Sequence, residues 1–195
     1  MAKDIDIIKV ITHADGGEPY SNSVSHYPSN EDSVAVKGYG VVDNDPETAQ
    51  MQFDTVTKYY GNNGKNQYIQ FMMSFLTETA PDAATAMEIS DRVLDPLKEN
   101  HQILIGVHQK HTPKSDYHTH SFVGTTELET GKMLHTNNTL NYEVAQREAD
   151  FIQKPVQLVI EKKNIDTNTT QDGGNNTEGK NGFKRIFYPH KNTTD

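Results

Sequence analysis

Three histidines stand at positions where two neighbouring β-strands could gather their side chains. His118 and His120 are two residues apart in the segment DYHTHSF, which has the composition of a strand. Because successive side chains of a strand point to opposite faces, these two imidazoles should share one face. His108 ends the preceding predicted strand, 101–108, and consecutive strands usually pair. Another histidine, His111, lies in the loop between the strands and is an alternative to His108.

Three imidazoles on one sheet face form a ligand set for a divalent cation that keeps coordination positions open for a substrate. The chain has no cysteine, which excludes both a thiolate zinc site and a disulfide. It also has no H-E-x-x-H, no G-x-S-x-G and no phosphate-binding glycine loop. We therefore expect a metal centre built on His108, His118 and His120.

The charge of the chain limits the partners that it can bind. Its 195 residues carry a formal net charge of −9, which argues against indiscriminate, charge-driven binding of nucleic acid. Binding of DNA would need local basic groups or a bound cation. No apolar run approaches the ~20 residues that cross a bilayer, and Asp4 and Asp6 stand where a signal peptide would be apolar. We expect no membrane association and a cytoplasmic location.

The pattern of apolar residues predicts the element order β-β-α-β-α-β-β-α-β. The clearest helix starts at Asp45, a favourable N-cap, followed by Pro46, which suits the first helical position. The other predicted helices are 80–100 and 139–155, and the predicted strands are 5–12, 33–42, 67–76, 101–108, 118–128 and 156–161. This order predicts an α+β two-layer sandwich, with helices packed on a mainly antiparallel central sheet of about five strands.

The end of the chain differs in composition from the rest. Residues 164–182 contain one aliphatic residue and no aromatic ring, which is typical of a solvated, flexible loop. The segment FKRIFYPHK at 183–191 is basic and aromatic, and the pattern does not place it. We therefore expect one folded domain at 1–163, followed by a polar flexible loop and a short basic-aromatic tail at 164–195.

Several stretches occur in an order and spacing that are specific when taken together. They are VAVKGYGVVDNDPETAQMQFDTVTKYYG, GKNQYIQFMMSF and ILIGVHQ followed by DYHTHSFVGTTELETGKMLH. Over about residues 5–161 the chain resembles the MobA-like plasmid mobilisation relaxases of the HUH endonuclease superfamily. The resemblance implies metal-dependent nicking of one strand at an origin of transfer by transesterification. The product would be a covalent adduct between the protein and a 5′ phosphate.

In that family, a histidine at the end of one strand and an H-x-H on the next bind a divalent cation. The resemblance thus implies His108, His118 and His120 as ligands, with Mn²⁺ or Mg²⁺ as the ion. It implies single-stranded origin-of-transfer DNA, accessory mobilisation proteins and a coupling protein as partners. The chain departs from the family at Gln109 and Lys110, where an acidic residue usually follows the first histidine. The connecting loop is also longer, which keeps the loop histidine open as an alternative ligand.

The family's nucleophile is usually a tyrosine in a short helix of pattern A-(I/L)-x-Y near the N-terminus. The comparable stretch here is NSVSHYPSN at 22–30. Matching Val24 to the apolar position puts His26 in the nucleophile's place, and some related relaxases use histidine. The resemblance therefore implies His26 as the nucleophile, with Tyr27 as the alternative and Tyr20 as a more distant one. A neutral imidazole can attack phosphorus without a base, whereas a phenol must first lose its proton.

Two other functions stay open at this point. Replication initiators and transposases of the same superfamily carry the nucleophile on a helix after H-x-H, where this chain has Tyr142. The match at DPETA disfavours that interpretation. A catalytically inactive DNA-binding or metal-storage domain is favoured by the missing acidic residue after His108.

Overall fold

The computed structural model describes residues 4–12, 26–110, 112, 115–135, 137–161 and 182–190. Within them the chain forms seven strands, three α-helices and a short 3-10 helix at Asp95–Leu97. In chain order the elements are β1 (Asp6–Thr12), β2 (Ser33–Tyr39), α1 (Pro46–Tyr59), β3 (Tyr68–Ser74), α2 (Ala83–Val93), β4 (Ile103–Gln109), β5 (Tyr117–Gly124), α3 (Asn138–Ile152), β6 (Val156–Glu161) and β7 (Gly182–Phe187).

All seven strands belong to one sheet, in the order β2-β4-β5-β3-β1-β6-β7. Five of its pairings are antiparallel, and β1 pairs in parallel with β6. The parallel pair arises because α3 carries the chain across the sheet between β5 and β6, as crossover connections do. The α+β class is as predicted, but the expected count of about five strands is too low. The sheet is mixed, although antiparallel pairs predominate.

The seventh strand comes from the basic-aromatic tail. β7 pairs antiparallel with β6, with Val156 opposite Phe187, and it forms one edge of the sheet. Phe187 is buried against α3, because its ring contacts Tyr142. This pairing is non-local, so the local pattern of the tail could not reveal it. The predicted domain boundary between 163 and 164 lies outside the described residues and stays a prediction.

Helices cover both faces of the sheet. α2 and α3 pack on one face, where the larger core cluster includes Ile89, Val144, Ile105 and Leu158. α1 packs on the other face, where Phe53 joins a smaller cluster of five buried residues: Ala49, Phe53, Tyr68, Leu104 and Phe122. The helices pack on the sheet as the predicted sandwich requires, and α1 adds cover to the second face. It covers only part of that face, which leaves room beside it for a site.

The helix signals in the sequence act as local chemistry predicts. The Asp45 side chain caps α1 by accepting hydrogen bonds from the backbone N–H groups of Glu47 and Thr48. α2 is shorter than the predicted helix at 80–100, because it ends at Val93. Pro96 lies in the 3-10 turn that follows, as expected for a residue that cannot donate a helical hydrogen bond.

Candidate functional site

Strands β4 and β5 bring the three predicted histidines together on the face that carries α1. The register puts His108 opposite His118 and Gly106 opposite His120. The ring centroids of the three imidazoles, the histidine triad, are 4.8 to 5.4 Å apart. One nitrogen atom from each ring lies within 4.8 Å of the others. The geometry suits a shared cation, and the ligand role stays a prediction.

Burial favours the neutral form of two triad histidines, His118 and His120. It is the main cause that lowers the pKa of His118, with smaller contributions from His108 and Lys110. Burial, together with His108 and His118, lowers the pKa of His120 to about 3. Neutral imidazole is the form that binds metal ions, since its lone pair is free of a proton. At pH 7 these two imidazoles thus present lone pairs without first releasing protons.

The hydrogen bonds of His120 fit a metal ligand. Its Nε2 atom is buried and has no hydrogen-bond partner among the residues that the structure describes. Its Nδ1 atom lies 3.0 Å from the side-chain amide of Gln70 on β3. That amide can turn its oxygen to accept a hydrogen bond from Nδ1–H. Nε2 is then the nitrogen that keeps a lone pair for a metal ion, an arrangement usual for metal-bound histidine.

Replacing Gln70 by alanine is expected to weaken binding of Mn²⁺ by about 10- to 100-fold, the usual effect of removing such a support. The reason is that His120 would lose the group that orients its ring. Isothermal titration calorimetry measures the affinity directly. Gln109→Ala is the control, because this exposed amide bonds the Tyr117 hydroxyl instead. Equal affinities of Gln70→Ala and the native chain would contradict this role.

The segment before β2 crosses the sheet directly above Gly106. A Cβ atom on Gly106 would lie 1.9 Å from the carbonyl oxygen of Pro28, so only glycine permits this approach. The same oxygen lies 3.4 Å from Nε2 of His108. Pro28 is buried in this contact. The crossing therefore holds the residues next to Pro28 at the histidine triad.

Of the two predicted nucleophiles, Tyr27 contacts the triad. Its ring meets His120 edge-on with centroids 4.6 Å apart, and it lies 5.5 Å from His108. The side chain is 46% exposed, which leaves it open to a substrate. His26 lines an open cavity against α1 together with Glu47 and Asp54. The structure thus brings Tyr27, rather than His26, onto the triad rings.

The remaining predicted residues fall elsewhere. Tyr142 lies on α3, where its ring stacks on Phe183 and contacts Phe187 of β7, on the face opposite the triad. Tyr20 and His111 lie outside the described residues. The structure therefore separates Tyr142 from the histidine triad.

A family model for relaxases, described as MobA/VirD2-like, nuclease domain, matches residues 21–158. That range holds Tyr27 and the whole histidine triad, and it covers more than half of the chain. The chain belongs to this relaxase family. A search of curated proteins gave no match.

A relaxase nuclease domain acts on DNA as a nuclease or strand transferase. Within the described part of this domain, no helix is long and apolar enough to span a bilayer.

The sequence patterns did not identify two residues beside the histidine triad, Gln70 and Gly106. Gln70 interrupts the apolar run YIQFMM of β3, and a polar residue inside such a run is a signal that could have identified it. Gly106 interrupts the apolar strand ILIGVH in the same way. Glycine inside a strand often marks the close approach of another backbone, which is the case here.

Proposed function

We propose that this relaxase domain nicks one strand of origin-of-transfer DNA by transesterification and remains bound to the new 5′ phosphate, as plasmid mobilisation requires. The observation that carries the proposal is the exposed phenol of Tyr27, which lies against two rings of the histidine triad. An attacking oxygen and a candidate cation site are thereby next to each other. A scissile phosphate bound at the triad would lie within reach of Tyr27.

The reaction exchanges one phosphodiester for another. The Tyr27 oxygen attacks the scissile phosphorus, and an O–P bond forms as the bond between phosphorus and the 3′ oxygen breaks. The phenol gives up its proton, and the departing 3′ oxygen keeps the bonding electron pair and takes up a proton. No ATP or other co-reactant is consumed. The reverse reaction rejoins the strand.

The donor set of the triad bears on which cation it would hold. When bound, the cation supplies positive charge to the phosphate oxygens, on which negative charge grows in the transition state. Imidazole nitrogen suits transition metals, whereas Mg²⁺ prefers oxygen ligands. Of the two ions expected from the sequence, Mn²⁺ therefore fits His108, His118 and His120 better. Gln70 would orient the ring of His120, and Pro28 would hold Tyr27 in place.

The proposed substrate is single-stranded DNA at the origin of transfer. In a chain with net charge −9, its binding depends on the cation and on local basic groups. Accessory mobilisation proteins and a coupling protein are the further partners that mobilisation requires. Because plasmid DNA is the substrate, we place the reaction in the cytoplasm.

Formation of the adduct tests this function directly. The substrates are single-stranded oligonucleotides that together cover the DNA flanking the gene. With Mn²⁺, the chain is expected to form a covalent adduct with one of them. Denaturing electrophoresis detects the adduct, because a covalent bond survives denaturation. EDTA should abolish the adduct. His118→Ala should slow its formation by at least about 100-fold, because even residues that only support ligands contribute 10- to 100-fold.

The control is His190→Ala, since this exposed histidine pairs with Asp150 on α3. It should form the adduct at the native rate. Normal cleavage by His118→Ala or in EDTA would refute the metal role. If no oligonucleotide yields an adduct with any divalent ion, the proposed function is wrong and the inactive DNA-binding alternative gains support.

The geometry weighs against the replication-initiator alternative. That alternative requires Tyr142 as the nucleophile, and its ring lies on the other side of the sheet, stacked on Phe183. Attack from Tyr142 at a phosphate on the triad would have to pass through the sheet. The position of Tyr27 therefore favours the relaxase reaction.

A further inference from the structure

One row of side chains crosses the whole sheet and passes through the histidine triad. The strand register aligns seven residues directly opposite one another, in the order Val36, Gly106, His120, Met72, Lys9, Val159 and Lys184. Directly paired residues of neighbouring strands point to the same face. The row therefore lies on the face of the triad. Pro28 covers the row at Gly106. The end of the row at Lys184 is exposed.

The part of the row beyond the triad is positively charged. Lys9 is half-buried on β1, and Lys184 stands on the edge strand β7. Their row neighbours Met72 and Val159 are apolar and half-buried. The register also puts one acidic residue, Glu161 at the end of β6, on this face, so Lys9 and Lys184 leave it with a net positive charge. For a chain of net charge −9, this stretch is a local exception.

The spacing of the row suits an extended strand of nucleic acid. Neighbouring strands of a sheet are roughly 4.8 Å apart, so Lys9 lies about 10 Å and Lys184 about 19 Å from His120 along the row. Each lysine carries its charge on a long, flexible stem, which suits contacts to phosphates of a mobile backbone. Apolar surface between the charges can contact bases or sugars. Basic groups combined with such surface are the usual means of binding single strands.

We infer that the single-stranded substrate runs from the histidine triad along this row toward β7, with Lys9 and Lys184 each contacting a backbone phosphate. The inference rests on the proposed function, because it extends the path of the same DNA strand beyond the scissile phosphate. The other direction along the row is blocked where Pro28 covers Gly106. The row is continuous with the triad, and its charge is complementary to the substrate.

The next residue on β7 provides a matched comparison. Arg185 points to the opposite face, where its guanidinium lies 4.9 Å from the ring centroid of Tyr142 and 5.3 Å from that of Phe187. Lys184 and Arg185 thus carry the same charge at adjacent positions but face opposite sides of the sheet. Only Lys184 lies in the row. Its removal should affect DNA binding, and the removal of Arg185 should not.

The test measures binding of a fluorescent single-stranded oligonucleotide by anisotropy, in EDTA, over a series of salt concentrations. EDTA removes any effect of a cation and of cleavage. The logarithm of the binding constant falls linearly with the logarithm of the salt concentration. The magnitude of this slope should decrease by about 0.7 for each phosphate that a variant no longer neutralises. Lys9→Gln and Lys184→Gln should each show this decrease with a several-fold loss of affinity at low salt. The double variant should show about twice the decrease.

Arg185→Gln should keep the native salt slope, with circular dichroism verifying that every variant is folded. An unchanged slope in the Lys9→Gln, Lys184→Gln double variant would overturn the inference. So would an equal decrease in Arg185→Gln, because that result would reflect total charge rather than the row. If the double variant keeps the native slope and still forms the covalent adduct with Mn²⁺, the path is wrong while the proposed function holds.

Discussion

Tyr27→Phe is expected to eliminate the covalent protein–DNA adduct, whereas His26→Ala is expected to retain it. The phenol oxygen is the attacking atom in the proposed reaction, and phenylalanine keeps the ring contacts to His108 and His120 while removing that oxygen. We expect a loss of at least about 1000-fold, since removing a nucleophile abolishes the covalent step. Denaturing electrophoresis of the reaction with Mn²⁺ measures the adduct.

The two variants separate the alternatives that the sequence left open. Matching the family pattern pointed to His26, but this side chain lines the cavity against α1. Mass spectrometry of the digested adduct locates the modified residue. A phosphate on His26, or an adduct that persists in Tyr27→Phe, would refute the assignment of Tyr27. Unchanged binding of Mn²⁺ by Tyr27→Phe is the control, because the ligand set is intact.

The second large effect is expected on stability, at a buried carboxyl group away from the site. Glu148 on α3 is fully buried, and neither carboxyl oxygen has a hydrogen-bond partner within the described part of the chain. Burial, and then the nearby Asp6, raise the pKa of Glu148 to about 8 from its ordinary 4.5. Asp6 is itself bonded to the backbone N–H of Leu76 and the hydroxyl of Thr79. The folded chain therefore holds Glu148 protonated at neutral pH.

A raised pKa of an acid means that the folded state binds a proton that the unfolded state has released. The contribution of Glu148 to stability should therefore fall as pH rises from about 4.5 to about 8, and level off above that range. At pH 7 the buried acid lowers the free energy of unfolding by on the order of 3 kcal/mol. Each pH unit above the ordinary pKa of Glu148 contributes about 1.4 kcal/mol. Glu148→Gln removes the ionisation, and it should raise the free energy of unfolding by this order at pH 7 but not at pH 4.

Urea denaturation at several pH values measures this effect. Glu143→Gln is the matched control on the same helix, since this side chain is exposed and its change should stay within about 0.5 kcal/mol. A Glu148→Gln chain that is less stable than the native one at pH 7, or whose advantage does not depend on pH, would contradict the buried-acid explanation.

Local features of the chain were readable from the sequence. The two-residue period of a strand determined that His118 and His120 share a face, and the structure shows them there. Asp45 and Pro46 determined the start of α1, because capping depends only on neighbouring residues. The family was also recognisable, because the order and spacing of its stretches are properties of the linear chain.

What depends on distant residues was decided only by the tertiary structure. The addition of β7, the cover of α1 on the second face and the position of Gln70 beside His120 all follow from the order and register of the strands. No local pattern encodes these, since they arise between segments far apart in the chain. The same holds for Tyr27. Its contact with the triad exists because Pro28 passes over a glycine about 80 residues later in the sequence, where no side chain keeps the backbones apart.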